Sequence, residues 1–380
     1  MAMELEQVFV LDESLEEALG TAYQKMDLAR ASGDERARAL CLIQAADAMV
    51  QMDRPDEAMG YASEGMGLCS EMKFEEGRAA AMIIMSKVHA KKGRDEEELE
   101  EAEDSATDAL KLSRKLGFRK GEAVAHTALS GVYRASKKAA LAIKHAKEAL
   151  VIFAELGEKR SMAVTYDTVK SAYLAKSPPE SFLAAKQVEK AAALYQELGD
   201  KAKEAACMHT AAVVEKDAGD VKKAAEALQK ARDLFAEAGN VQGQGMVLET
   251  VMGMLLDGGL YREAVKVGKD RVMLFNGAGD AGEEAKAMVK LGDIYLKNDD
   301  HERAAKIAET ALGLFASISD MEGLKSAKEL ADGAIQAKKV EEIEASVAKA
   351  ANSMHVPRTL LVDPGLNKRM AEQFVAAITM

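Results

Sequence analysis

The sequence of 380 residues has no tryptophan, only five prolines and few other aromatic residues. Residues that favour helix dominate it, and runs of β-branched residues are scarce. We therefore expect an all-α protein with little or no sheet.

Cysteine is also scarce, and the chain has no long apolar run. Cys41, Cys69 and Cys207 are isolated and form no CxxC pair, which favours buried thiols in a reducing compartment. No window approaches the roughly 18 apolar residues of a membrane span, and the acidic N-terminus lacks the basic region of a secretory or transit peptide. We expect a cytoplasmic protein without membrane insertion.

Positive charge is the minority, since the net charge is −12 and the pI is about 5.2. Nucleic acid is excluded as the main partner, because phosphate contacts need a concentrated basic surface.

Motifs of catalysis and cofactor binding are absent as well. Gly268-Lys269 is followed by Asp270 and lacks the spacing of a phosphate loop, and there is no HExxH. The six histidines have no metal-ligand spacing. The sequence thus predicts no catalytic residues, no cofactor and no metal, and the protein is expected not to be an enzyme.

A repeat runs along almost the whole chain, and its clearest copy is Leu291 to Phe315. One alanine marks each copy at spacings of 40 to 44 residues, and an aliphatic residue follows ten positions later. The marker alanines are Ala18, Ala58, Ala102, Ala142, Ala184, Ala224, Ala264 and Ala304. A break such as Gly199-Asp200 then follows, which suits a helix end and the cap of the next helix.

Each copy resembles the tetratricopeptide repeat (TPR), in its long form of about 40 residues per unit. The residues that carry the resemblance are Leu291, Gly292, Tyr295, Ala304, Ala308 and Ala311, with a second good match at Leu129 to Ala149. The resemblance implies a right-handed α-α superhelix, a TPR-like solenoid of about seven to eight helix pairs. In such a stack the first helix of each pair lines a concave groove.

The expected organisation has three parts. Residues 1–32 form an N-terminal segment and a half-repeat helix, residues 33–353 form the repeat array, and 354–380 form an extended linker and an amphipathic helix. The eighth pair, from about 321 to 353, is expected to be degenerate. The last helix would cap the solenoid, occupy its groove or dock on a partner, through Leu366, Met370, Phe374 and Ile378.

Counting from the motif leucine gives the side chains expected to face the groove. They are Ile43, Asp47, Ile83, Lys87, Lys91, Thr127, Arg134, Asp167, His209, Lys216, Glu249, Asp293 and Lys297. This groove is expected to be basic in the middle, at Lys87, Lys91 and Arg134, and acidic toward the C-terminal units. It lacks the asparagines with which family members clamp chaperone C-termini.

Three functions remain open. The main hypothesis is a non-enzymatic scaffold or adaptor that binds a partner's peptide or helix in the groove. The alternative is a permanent structural subunit of a large assembly. The third, less favoured, is a ligand- or peptide-sensing regulator.

Overall fold

Sixteen α-helices make up the described part of the chain, where no strand is present. In the computed structural model the described residues are Phe9, 15–93 and 95–353, with side chains through Ser346. The helices are α1 (Leu15–Ser32), α2 (Glu35–Gln51), α3 (Pro55–Glu71), α4 (Glu75–Lys92), α5 (Glu96–Leu116), α6 (Arg119–Ala135), α7 (Ala139–Leu156), α8 (Lys159–Leu174), α9 (Ser181–Leu198), α10 (Lys201–Asp217), α11 (Val221–Glu237), α12 (Val241–Asp257), α13 (Tyr261–Ala278), α14 (Ala281–Lys297), α15 (His301–Ser317) and α16 (Met321–Ser353). None of these described helices has both the length and the apolarity that a bilayer crossing requires. The predicted all-α fold is confirmed.

The helices pack in chain order as pairs. We call the even-numbered helices first helices and the odd-numbered ones second helices. Within the described residues α1 is a lone second helix, and seven pairs follow from α2/α3 to α14/α15. The chain divides into two compact units, one ending at Ala238 and the other beginning at Gly239. In the first unit α2, α4 and α6 also pack side by side, and in the second α14 packs on α16.

The marker alanines lie inside the stack, and all eight are fully buried. A methyl side chain lets two helices approach closely, whereas a larger residue there would have to displace its neighbours. The column that the repeat predicts from sequence is therefore a packing column.

The turns between units follow the predicted glycine-plus-acid pattern. Gly199 and Gly279 adopt left-handed backbone angles, with φ of 71° and 72°, and end α9 and α13. Asp200 and Asp280 then cap the next helices, accepting hydrogen bonds from the backbone N–H of Lys203 and Glu283.

Two units place their aromatic residue differently. Most second helices bury an aromatic ring near their C-terminus, as Phe275 and Phe315 do. The unit of α5 has the small Ser113 there, and Phe118 from the following turn lies beside Gly121, where an added Cβ would be 2.2 Å from the ring. The preceding unit repeats this exchange with Cys69, Phe74 and Gly77.

The expected eighth helix pair is instead one continuous helix, α16, of 33 residues. The segment around 336–341 (Gln-Ala-Lys-Lys-Val-Glu) contains no glycine, proline or asparagine that would favour a turn, so the helix continues through it. The predicted C-terminal helix with Leu366, Met370, Phe374 and Ile378 lies outside the described residues.

Candidate protein-binding face

The candidate surface consists of two positions on each first helix. They lie two residues before and two residues after the position that Leu129 and Leu291 hold in the clearest copies of the repeat, which we call the motif leucine whichever residue occupies it. Each residue turns an α-helix by about 100°, so these two positions share one face, opposite the buried leucine. We call the surface that they form the first-helix face. In the N-terminal unit its positions are Ile43 and Asp47 on α2, Ile83 and Lys87 on α4, Thr127 and Gly131 on α6, Asp167 and Ser171 on α8, and His209 and Val213 on α10.

The face is open at α6, α8 and α10. Asp167 and Arg134 are exposed, and Thr127, His209 and Lys216 are half-buried. Within the described residues Arg134 forms no ion pair, whereas Asp167 pairs with Lys170 one turn along α8. Burial lowers the pKa of His209 and favours its neutral form. We call the first-helix positions on these three helices, with Arg134, the open part.

The face is covered at α2 and α4. Ile43 and Ile83, predicted to face the groove, are fully buried and are core residues in this structure. Asp47 is also buried, and the Lys87 Nζ lies 2.7 Å from its Oδ1. We call Ile43, Asp47, Ile83 and Lys87 the covered part.

The expected basic middle of the groove is therefore largely neutralised. Lys87 is paired with Asp47, and the Lys91 Nζ lies 3.2 Å from the Asp53 carboxylate. Among the described residues, Arg134 is the one of the three cations that forms no ion pair. The structure does not bring the three cations together as one unpaired patch.

In the C-terminal unit the predicted positions Glu249, Asp293 and Lys297 are exposed on α12 and α14. Glu249 accepts a hydrogen bond from Arg271 at 3.2 Å. Desolvation raises the pKa of the Asp293 carboxyl, and the charges of Lys290 and Lys297 oppose that shift. Two of these three exposed groups, Glu249 and Asp293, are acidic, and Lys297 is basic.

Arg271 is a buried cation that the sequence analysis missed. It is the residue of α13 that occupies a column held by alanine in neighbouring units, at Ala231 and Ala311. Its Nε donates to the Gly245 carbonyl at 3.2 Å, and its Nη2 reaches Glu249 on α12 and lies 3.9 Å from Glu283 on α14. The arginine thus joins three helices, and its mismatch with the column was the signal that could have found it.

A buried histidine pair at α6 and α7 was also missed. The Nδ1 atoms of His126 and His145 lie 2.9 Å apart, so one ring must donate and the other accept. Arg114 of α5 contacts Nε2 of His126 and also pairs with Glu122. Burial, the partner imidazole and Arg114 lower the pKa of His126 to about 4.

The pKa of His145 is also lowered, by burial and by the charges of Lys144 and Arg114, while Glu148 and Glu103 oppose the shift. Its ring stacks on Tyr133, with centroids 5.3 Å apart. Tyr133 in turn donates a hydrogen bond to Glu103 of α5 at 2.8 Å. This network fixes the packing of α6, the first helix of the open part.

A small cavity of about 330 Å³ lies between α14 and α16. Its lining residues are Lys286, Val289, Lys290, Phe315, Asp320, Glu322, Gly323 and Ser326. Two lysines and two acids share the rim, so the cavity has no net preference for one sign of charge.

Among the described residues, no group of three or more histidine, cysteine or acidic side chains is placed to hold a metal ion. Burial raises the pKa of Cys69 and of Cys207 to about 11, which keeps these thiols protonated at neutral pH.

No protein-family model and no curated protein matches the sequence. Solved structures do match. A signal transduction ATPase (STAND) protein with a tetratricopeptide repeat sensor, from Pyrococcus horikoshii, is 13% identical over 88% of this chain and 55% of that chain, with a TM-score of 0.55. The apo form of RapI is 12% identical over 86% of this chain and 98% of that one, with a TM-score of 0.53.

Aspartyl phosphate phosphatase F from Bacillus subtilis is 14% identical over 98% of this chain and 96% of that chain, with a TM-score of 0.51. At this level of identity the likeness concerns the fold alone. Together with the buried alanine columns and the helix pairs, it establishes that this chain has a TPR-like helical-repeat fold.

Proposed function

We propose that the chain is a non-enzymatic scaffold that binds a peptide or helix of a partner protein on its first-helix face. The observation that carries this proposal is a difference in burial between two sets of positions on the first helices. The motif positions Leu129 and Val169 are buried in the stack, whereas the positions on either side of the motif position at α6, α8 and α10 are half-buried or exposed. Residues that the stack does not use are available to a partner.

The open part favours a partner of mixed character. Arg134 and Asp167 supply one exposed charge of each sign, and Val213 and the neutral form of His209 supply half-buried surface on α10. A segment with an apolar anchor flanked by charges of both signs would complement this surface, because charges at an interface rim set orientation and anchors supply affinity.

One similar structure is named for a tetratricopeptide repeat sensor, and another for a phosphatase. The proposed activity here is binding, and it includes no chemical step performed by the chain itself.

The test is site-specific photo-cross-linking in native extract. A cross-linking residue replaces Thr127, Asp167 or Val213 on the open part, and matched controls replace Val151 on α7 or Arg232 on α11, which are exposed on second helices. We expect one partner to be captured from all three first-helix positions and from neither control. Equal capture from Val151 and Arg232 would contradict the proposed face.

A further inference from the structure

The covered part of the first-helix face is buried more deeply than the repeat explains. Ile43 and Ile83 are fully buried and Asp47 is 1% exposed, whereas the equivalent Asp167 is exposed. The helix α2 is the earliest first helix of the described chain, so no preceding first helix shields it. Even so, every residue from Ala39 to Val50 is buried.

Phe9 lies at this place. It is 6% exposed and belongs to the same apolar cluster as Ile43 and Ile83. Its ring centroid lies 5.6 Å from Nζ of Lys87, which reaches from α4 to the Asp47 carboxylate of α2. Phe9 therefore lies near the ion pair that joins α4 to α2.

The chemistry of the covered part suits an aromatic side chain. Two isoleucines offer apolar surface, and burying an aromatic ring removes about 150–250 Å² from water. A lysine ammonium near the ring adds a cation–π attraction of roughly 0.5–2 kcal/mol. The charge of that lysine is balanced by Asp47, so the site does not require an acidic ligand.

We propose that the covered part is a docking site for an aromatic side chain, and that Phe9 of the same chain occupies it. A segment tethered to its site has an effective concentration in the millimolar range, so even weak docking fills the site. Phe9 thereby keeps the α2/α4 end of the face covered, while the open part remains accessible. The closing of the face to a partner rests on the proposed function, but the docking of Phe9 does not.

The test uses the full chain and a synthetic peptide with the sequence of residues 1–14. Binding is measured by fluorescence anisotropy to the wild type, to Phe9→Ala and to Phe9→Leu, and circular dichroism and size-exclusion chromatography check each fold and oligomeric state. A control peptide carries alanine in place of the phenylalanine. We expect the peptide to bind Phe9→Ala at least tenfold more tightly than the wild type, and the control peptide to bind neither.

Equal binding of the peptide to the wild type and to folded Phe9→Ala, or no binding to the latter, would overturn the proposal. Should Phe9→Ala not fold, Phe9→Leu takes its place, because leucine keeps apolar contact but loses the cation–π attraction. A wild-type dimer that becomes a monomer on Phe9→Ala would show that Phe9 docks on a second copy, which also overturns docking within one chain. The test involves no external partner, so its failure leaves the cross-linking test of the open part standing.

Discussion

The two parts of the first-helix face differ although the repeat is the same. At α2 and α4 the positions around the motif leucine hold two isoleucines and the Asp47–Lys87 pair. The isoleucines and Asp47 are buried, and Lys87 is half-buried. At α6, α8 and α10 the same positions hold threonine, glycine, aspartate, serine, histidine and valine, and they are accessible.

The difference shows that the repeat determines which residues build the stack but not which surface is free. The covered part has apolar side chains and an internally satisfied ion pair, as a core does. The open part has a mixed surface without a buried pair.

The strongest contrast concerns two ion pairs on first helices. Lys87→Met removes the ammonium group that lies 2.7 Å from the buried Asp47 carboxylate, and we expect a loss of about 3 kcal/mol in the free energy of unfolding. The matched control Lys170→Met leaves Asp167 in solvent, where its carboxylate is 61% exposed, and should cost less than about 1 kcal/mol. Urea unfolding measures both. Similar losses for the two variants would mean that α2 is not covered in solution.

Low pH is expected to destabilise the packing of α6 and α7, which contain His126 and His145. Folding lowers the pKa of His126 from 6.5 to about 4, so between these values the unfolded chain binds more protons and stability falls as pH falls. That stability is fully present above pH 6.5 and lost below about pH 4. At pH 5 the loss is about 2 kcal/mol.

The control for this pH effect is the double variant His126→Met/His145→Ile, which copies Met288 and Ile307 of the α14/α15 pair. The double variant should not show the loss of stability at pH 5 that protonation of His126 causes in the wild type. Hydrogen exchange, corrected for intrinsic rates, should show opening at α6 and α7 before α2, which contains no histidine. Identical acid sensitivity of the double variant would refute the role of the pair.

Two glycines of α6 give a smaller contrast within one helix. Gly121→Ala places a Cβ 2.2 Å from the Phe118 ring and should cost about 1–3 kcal/mol. Gly131 lies on the open part with no atom within 4 Å of an added Cβ, so Gly131→Ala should stabilise by roughly 0.5–1 kcal/mol. Thermal unfolding of both variants checks this, and destabilisation by Gly131→Ala would indicate that the open part is packed against something.

The smallest effect concerns charge at the rim. Once a partner is known, Arg134→Glu should lower its affinity by up to about tenfold at low salt, mainly through slower association. Lys91→Glu should change affinity less, since Lys91 is already paired with Asp53. Surface plasmon resonance at two salt concentrations separates the cases, because added salt weakens an exposed charge interaction. A larger effect at Lys91 would place the partner near α4 instead.

Much of the fold follows from sequence because one physical requirement recurs. Every unit needs a small residue where helices cross, and the marker alanines from Ala18 to Ala304 satisfy it. The turn signals are equally local, as Gly199 and Asp200 show. Periodicity at fixed spacing therefore predicts the stack and most of its boundaries.

The candidate site is less predictable because it depends on contacts between distant segments. Ile43 and Ile83 occupy the positions two residues before the motif leucine, which predicts that they face the groove. That count takes no account of Phe9, which lies outside the repeat and belongs to the same apolar cluster. In the sequence, His126 and His145 each appear as an isolated departure from the repeat pattern. Their contact becomes visible only when α6 packs against α7. Arg271 was visible as a mismatch in an alanine column, although its three-helix role required coordinates.

Hydrogen–deuterium exchange of the chain with its partner bound, in the wild type and in Phe9→Ala, tests the account most directly. In the wild type we predict added protection on α6, α8 and α10 and none on the second helices α7 and α9. In Phe9→Ala the protection should extend to α2 and α4. Protection centred on the second helices, or a wild-type footprint that already includes α2 and α4, would contradict the account.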